Sequence, residues 1–325
     1  MFNLDNKKMG EIRIHSLKQI AIVGIGINLP QAESYQQFWN NLCVEKDCIG
    51  ILSDIRQSDI KECMQYLGKT DQIKFRPGAY LDRIDEFDNE FFHISYKEAS
   101  LMDPNQRLFL QTAWHSIEDA GYAPEKLSNS RTGVFLGYSS SNEYQQMIAQ
   151  VSPKDIVLAE TGNINSIIAS RISYILNLRG PSMVIDTACS SSLVAIHLAC
   201  QFIQNGEVDN AIVGGSKIWL MPQELNEHLG IESSSGRTRT FDEDSDGTGF
   251  GEGVIAIMLK SLSRAINDRN HIYAVIEESG TNQDGASVGI TAPNMKAQEQ
   301  LLTTVWCKAG ISPEKITYTL IRKTY

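Results

Sequence analysis

Between positions 103 and 120 apolar side chains fall at Leu108, Phe109, Ala113, Trp114 and Ile117, the three-and-four spacing of one helical face. Asp103 stands where a cap belongs, Pro104 suits the first helical position, and Gly121 stops the run. The same kind of pattern predicts helices over 34–42, 163–176 and 189–206. Short apolar runs bounded by turn residues predict strands over 19–24, 133–137, 183–185, 211–214, 254–259 and 272–278. Strands separated by helices of this length imply an α/β protein with parallel strands covered on both faces. Gly24-Ile25-Gly26 is expected to turn the chain after its first strand; Leu29 stands where a dinucleotide fingerprint needs its third glycine, so no nucleotide site follows. The polar stretch 47–79 is expected to be a surface excursion, and 1–17, polar and without period, a leader or linker.

One internal echo changes this picture. Ala120-Gly121-Tyr122-Ala123-Pro124-Glu125-Lys126-Leu127 returns as Ala309-Gly310-Ile311-Ser312-Pro313-Glu314-Lys315-Ile316, each time after a predicted helix that carries a Trp. Helix-ending turns share Gly and Pro by chance; a duplicated fold is the other explanation, and it predicts a strand beginning at Ile316-Thr317-Tyr318 to match the one over 133–137.

The 325 residues, 42% hydrophobic and 21% charged, suffice for one large domain or two ordinary ones. A net charge of -10 speaks against general nucleic-acid or anionic-membrane binding, which needs basic surface. No apolar run reaches the length of a membrane span and no secretory pattern opens the chain, so a cytoplasmic protein is expected. The six cysteines, 43, 48, 63, 189, 200 and 307, include no Cys-x-x-Cys pair, which leaves no zinc or disulfide framework to expect.

Only Cys189 has a reactive context. Met183-Val184-Ile185-Asp186-Thr187-Ala188-Cys189-Ser190-Ser191-Ser192 predicts a strand, a sharp turn and a helix, with the thiol at the helix N-terminus, where unpaired N–H groups and the dipole favour negative charge. A nucleophile is one meaning of that placement; a small cysteine packed behind a helix is the other. A cysteine hydrolase would carry glycine on both sides of the nucleophile, where this chain has Thr187 and Ser191. Among His15, His93, His115, His197, His228 and His271 none is marked as a partner: His197, the nearest, lies eight helical residues on, roughly 12 Å of rise.

Asp186-Thr187-Ala188-Cys189-Ser190-Ser191-Ser192-Leu193 closely resembles the active-site cysteine motif of the ketosynthase domains of modular polyketide synthases. Ala21-Ile22-Val23-Gly24-Ile25-Gly26, Met102-Asp103-Pro104-Asn105-Gln106-Arg107-Leu108, Gly236-Arg237-Thr238-Arg239-Thr240-Phe241-Asp242, Gly251-Glu252-Gly253 and Asn282-Gln283-Asp284-Gly285 are similar to further blocks of that family, in its order. The resemblance spans about 19–318.

It implies a thiolase-like αβαβα layered sandwich of two similar halves, here divided as 18–265 for the N-terminal half and 266–325 for the start of the second. It implies a β-ketoacyl-acyl carrier protein synthase, in which Cys189 accepts an acyl chain from the phosphopantetheine of an acyl carrier protein and its backbone N–H helps hold the oxyanion. Two histidines assist decarboxylation of a malonyl-type extender, whose carbanion then attacks the thioester. No cofactor is bound by such a domain; its partners are the carrier protein, neighbouring synthase domains and a second copy in a homodimer. Thr161 and Asn163 resemble a block beside the acyl channel, though a helix cap explains them as well; Asn282 and Asp284 are further channel candidates, though Asn and Asp before Gly are ordinary turn formers. The family's His-Gly-Thr-Gly-Thr and Asn-Ile-Gly-His blocks do not occur here, and from Thr319 onward the chain departs from the family's continuation. A C-terminal truncation, by frameshift or split gene, is therefore expected, and with it the alternative of a fragment that can be acylated or bind a carrier protein but cannot condense.

Overall fold

A computed structural model describes residues 19–68, 73–221, 231–289 and 292–320. The expected leader over 1–17, and with it His15 and His228, lies outside the described residues.

In chain order the described elements are β1 (Ile20–Asn28), α1 (Tyr35–Cys43), α2 (Asp54–Tyr66), β2 (Gly78–Ala79), α3 (Tyr96–Leu101), α4 (Pro104–Asp119), β3 (Thr132–Gly137), α5 (Glu143–Val151), α6 (Ile156–Ala159) and α7 (Asn165–Ile175). They continue with β4 (Ser182–Ile185), α8 (Ser191–Gln204), β5 (Asn210–Lys217), β6 (Phe250–Gly251), β7 (Gly253–Ser261), α9 (Leu262–Asn267), β8 (Ala274–Ile276) and α10 (Met295–Ala309). Six strands form one sheet in the order β4-β3-β5-β7-β1-β8, while β2 and β6 make a small parallel pair.

Period-two alternation sends neighbouring strand residues to opposite faces of the sheet. Val134, Leu136, Ile212 and Met258 enter one core with α4 and α7, whereas Phe135, Ala211, Val213 and Leu259 enter a second core with α8. The result is a helical layer on each side of the sheet, with the N-terminal end of α8 brought to the exit of β4. The layered α/β architecture expected from the sequence is present.

The sheet is mixed rather than parallel. β3 pairs in parallel with β4 and β5, but β7 runs antiparallel to β5 and β1, and β8 antiparallel to β1. The apolar runs announced strands but not direction, because period-two alternation is the same whichever way a strand runs beside its neighbour.

Gly24 and Gly26 do not turn the chain; β1 runs straight through them. A Cβ on Gly24 would lie 2.1 Å from the Ser116 carbonyl oxygen, and one on Gly26 2.2 Å from that of Thr112. The glycines let α4 press against the strand. A bulge at Ile22/Gly24 shifts the register, and the Asp119 carboxylate at the end of α4 takes the Ile25 N–H at 2.8 Å. The expected excursion over 47–79 contains α2, whose Arg56 and Ile60 are buried; its polar exposed face hid the helix.

The echo is structural. Gly121 and Gly310 both adopt positive φ, at 79° and 66°. Gly121 N donates to Glu118 O and Tyr122 N to Ile117 O; Gly310 N donates to Cys307 O and Ile311 N to Trp306 O. A proline-led 3-10 turn follows each time, Pro124–Leu127 and Pro313–Lys315. The strand expected at Ile316-Thr317-Tyr318 is absent: 316–320 has no ladder partner among the described residues, and Tyr318 and Leu320 are exposed.

Candidate active site

β4 is fixed on one flank by β3 and tied to α7 by the Ser173 and Ser182 hydroxyls, 2.6 Å apart. At its C-terminal end the chain passes through Asp186 and Thr187 into a 3-10 turn, Ala188–Ser190, that runs directly into α8. Cys189 sits in that turn, exposed and in no disulfide, at the strand-to-helix junction where the sequence pattern predicts it.

The turn is closed by its own side chains. Thr187 N donates to Ser191 Oγ at 2.9 Å, and Ser191 Oγ donates to Ala188 O at 2.6 Å. Ser190 Oγ donates to Thr187 O at 2.8 Å, while Ala188 N donates to Asp186 Oδ1 at 3.0 Å. Ala188 is held at φ 53°, in the left-handed region where its Cβ crowds the backbone at a cost on the order of 1 kcal/mol. That single reversal turns the chain out of the sheet immediately before the thiol. The carboxyl of Asp186 is held below the usual carboxylate range, first by the Ser139 side chain and then by the Ala188 N–H.

Two glycines bring the helix down onto the strands. A Cβ on Gly137, at the end of β3, would lie 2.4 Å from Ser192 N, and one on Gly215 would lie 3.2 Å from Ser192 Cβ. The first turn of α8 therefore rests on bare backbone.

Cys200, on the same helix, is a different thiol. It is buried, and desolvation foremost, with the Glu278 charge, pushes it up to about 12 despite hydrogen bonding from Ser279. His197 does not face Cys189: its Nδ1 lies 2.8 Å from Ser279 Oγ, on the segment after β8. Burial lowers its pKa, with Lys308 acting the same way and Glu278 opposing. His271 stacks edge-on with Tyr273, ring centroids 4.4 Å apart. Among the described residues no cluster of His, Cys, Asp or Glu has metal-holding geometry, and no helix is long and apolar enough to cross a membrane.

The channel candidates fall into two groups. Asn163 Nδ2 donates to Leu101 O at 2.8 Å and Ala159 O at 2.6 Å, Arg171 reaches Thr161 O at 3.3 Å, and Asp103 N donates to Gly162 O at 3.0 Å. This trio fastens the approach to α7 onto the start of α4. Asn163 is not the helix cap that its type suggests; Ile164 occupies that position. Asn282 Nδ2 donates to Ala297 O at 2.7 Å, and Asn294 Nδ2 to Asp284 O at 2.8 Å, so the second pair is fastened to the start of α10.

The loop before β7 is held by separate contacts. Arg237 pairs with Asp47 at 2.6 Å, and Gly249 N donates to Thr238 Oγ1 at 2.9 Å. Glu252 is wholly engaged with Arg56 and two backbone amides. Sequence reasoning gave neither Ser139 nor Arg56 a role; both lie far along the chain from their partners, and no local pattern joins them.

A family model described as "Beta-ketoacyl synthase, N-terminal domain" matches residues 17–265, and one described as "Beta-ketoacyl synthase, C-terminal domain" matches 273–322. Polyketide synthases PksL and PksM of Bacillus subtilis (strain 168) are 38% and 40% identical over 97% and 94% of this chain, each over 7% of its own length. Among solved structures, the ketosynthase from module 6 of the bacillaene synthase of Bacillus subtilis 168 superposes with a TM-score of 0.79 at 38% identity, over 92% of this chain and 50% of that one. Ketosynthase twelve of the bacillaene polyketide synthase of Bacillus amyloliquefaciens gives 0.81 at 32% identity, over 93% and 54%. The chain thus spans about half the length of these solved chains and a small part of the curated relatives.

Proposed function

The chain belongs to the beta-ketoacyl synthase family, and on that footing we propose that it serves as a ketosynthase of polyketide type, a β-ketoacyl-acyl carrier protein synthase. One observation carries the assignment: an exposed cysteine, within a block similar to the family's nucleophile motif, stands at a strained strand-to-helix turn of the thiolase-like fold.

In the first half-reaction the Cys189 thiolate attacks the carbonyl carbon of an acyl group borne on the phosphopantetheine of an acyl carrier protein. The carbonyl oxygen takes the negative charge and is held by the Cys189 backbone N–H. Collapse expels the pantetheine thiolate, which takes up a proton, and leaves the acyl group on Cys189. In the second half-reaction a malonyl-type extender loses carbon dioxide, and the carbanion so formed attacks the acyl-cysteine, making the carbon-carbon bond and returning the thiolate. No described histidine of this chain is assigned to the decarboxylation: His197 is engaged by Ser279, and His271 packs on Tyr273.

Thr161 and Asp284 remain channel candidates by position. Asn163 and Asn282 are channel candidates as well, their Nδ2 groups also fastening their own loops by donating to backbone carbonyls. The domain binds no cofactor of its own and works in the cytoplasm beside neighbouring synthase domains. Among the described residues β4 pairs only with β3 and lies at one edge of the sheet, a flank that suits pairing with a second copy in a homodimer.

The test is to incubate the protein with an acyl-carrier-protein thioester and map the mass addition. Addition on Cys189, lost in Cys189→Ala, is expected; addition elsewhere, or none on a protein that melts cooperatively, overturns the assignment.

A further inference from the structure

We propose that Asp186 is a positioning residue for the nucleophile: its carboxylate oxygen holds the Ala188 N–H and keeps that backbone left-handed, so that Cys189 is presented to an incoming thioester. This rests on the reading of Cys189 as the acyl acceptor.

Asp186 is exposed and, among the described residues, forms no ion pair with a lysine, arginine or histidine. Its engagements are local: the Ala188 N–H at 3.0 Å and the Ser139 side chain on the loop that leaves β3. The first acts on the residue whose backbone is under strain. A left-handed conformation is open to glycine at no steric cost, yet position 188 carries a Cβ at φ 53°, so the turn persists only where its neighbours over-determine it. Ser191 contributes from the helix side, by bonding Thr187 N and Ala188 O; Asp186 contributes from the strand side. Ser139 extends the support to a second strand exit. The thiol's direction is thereby referred to β3 and β4, the rigid part of the fold, and not to the exposed turn alone.

What Asp186 supplies is an acceptor oxygen, which asparagine supplies too. What it offsets is strain, which glycine at 188 removes by another route. These two substitutions separate positioning from a general structural role, because neither restores a lost fold. Acylation of Cys189 by a hexanoyl-pantetheine thioester is measured by peptide mass mapping, with iodoacetamide labelling of the same residue as a measure of simple exposure.

Asp186→Ala is expected to slow acylation about tenfold or more, since small misplacements of a reacting atom cost one to two orders of magnitude, while changing iodoacetamide labelling less than about threefold. Asp186→Asn is expected to recover most of the rate, and Ala188→Gly combined with Asp186→Ala to recover at least half of it. Independently of any reaction, amide exchange at Thr187 is expected to quicken in Asp186→Ala and to return to the wild-type rate in Asp186→Asn. Acylation of Asp186→Ala within twofold of wild type, a double variant as slow as the single one, or unchanged Thr187 exchange overturns the proposal. A wild-type protein that is alkylated but never acylated overturns the functional reading instead, and Thr187 exchange still decides the positioning.

Discussion

The Arg56 guanidinium and the Glu252 carboxylate form a two-pronged ion pair, 2.6 and 3.0 Å, in the interior of the protein, at 4% and 6% exposure. Both ions are supplied with further partners. Leu81 N and Trp219 N donate to Glu252, while Leu81 O and Trp219 O accept from Arg56. The pair therefore joins α2, the segment after β2, the end of β5 and the entry to β7 at one point.

Removing one ion leaves the other buried and unpaired. Glu252→Ala and Arg56→Ala are each expected to destabilise the protein by about 3–5 kcal/mol, read as a lower midpoint in urea unfolding. The double variant is expected to lose clearly less than the sum of the two, because the second substitution removes the stranded charge; additive losses would contradict the pairing.

Gly137→Ala would place a methyl group against the amide of Ser192. A loss of about 1–3 kcal/mol is expected from overpacking against backbone, together with slower acylation of Cys189, since the first turn of α8 must lift. Gly24→Ala meets the Ser116 carbonyl on the other face of the sheet. It is expected to lower the melting temperature while leaving the acylation rate of the folded protein unchanged.

His197 should make stability depend on pH. Burial, aided by the positive charge of Lys308 and opposed by Glu278, lowers its pKa in the folded protein. The unfolded chain therefore binds the proton more readily, and stability rises with pH wherever that difference operates. The contribution is fully present above the unfolded value of about 6.5 and is lost as pH falls through the lower folded value. A His197→Gln variant is expected to show a flatter dependence of unfolding free energy below pH 6.5; an unchanged slope would refute this.

The two thiols of α8 should differ in kind. Exposed Cys189 is expected to take iodoacetamide in the native protein, whereas Cys200, buried and pushed up to about 12, is expected to react only after denaturation. Mapping of labelled peptides before and after urea reads both.

Much of this architecture was legible because it is written locally. The face of α4, its Asp103 cap, the strand over 133–137 and the thiol at the strand-to-helix junction each follow from residues a few positions apart. Features set by distant partners were not. Gly24 and Gly26 signal a turn until Ser116 and Thr112 arrive from α4 to explain their missing side chains. Strand direction in β7 depends on the path between elements, which apolar periodicity does not record. At the site, Cys189 was visible and its support from Ser139 was not, since some fifty residues separate them. Asn163 carries a capping side chain and spends it elsewhere, on Leu101 and Ala159.

The twice-used ending, a left-handed glycine followed by a proline-led turn, forms with the same hydrogen bonds whether the chain goes on into β3 or into segment 316–320, which has no ladder partner among the described residues. Such punctuation is local: the hydrogen bonds that close each helix run between residues of the ending itself. Strand identity, by contrast, is conferred by company. The same words at 120–127 and 309–316 thus mark where each helix finishes, while what comes next is decided by the neighbours.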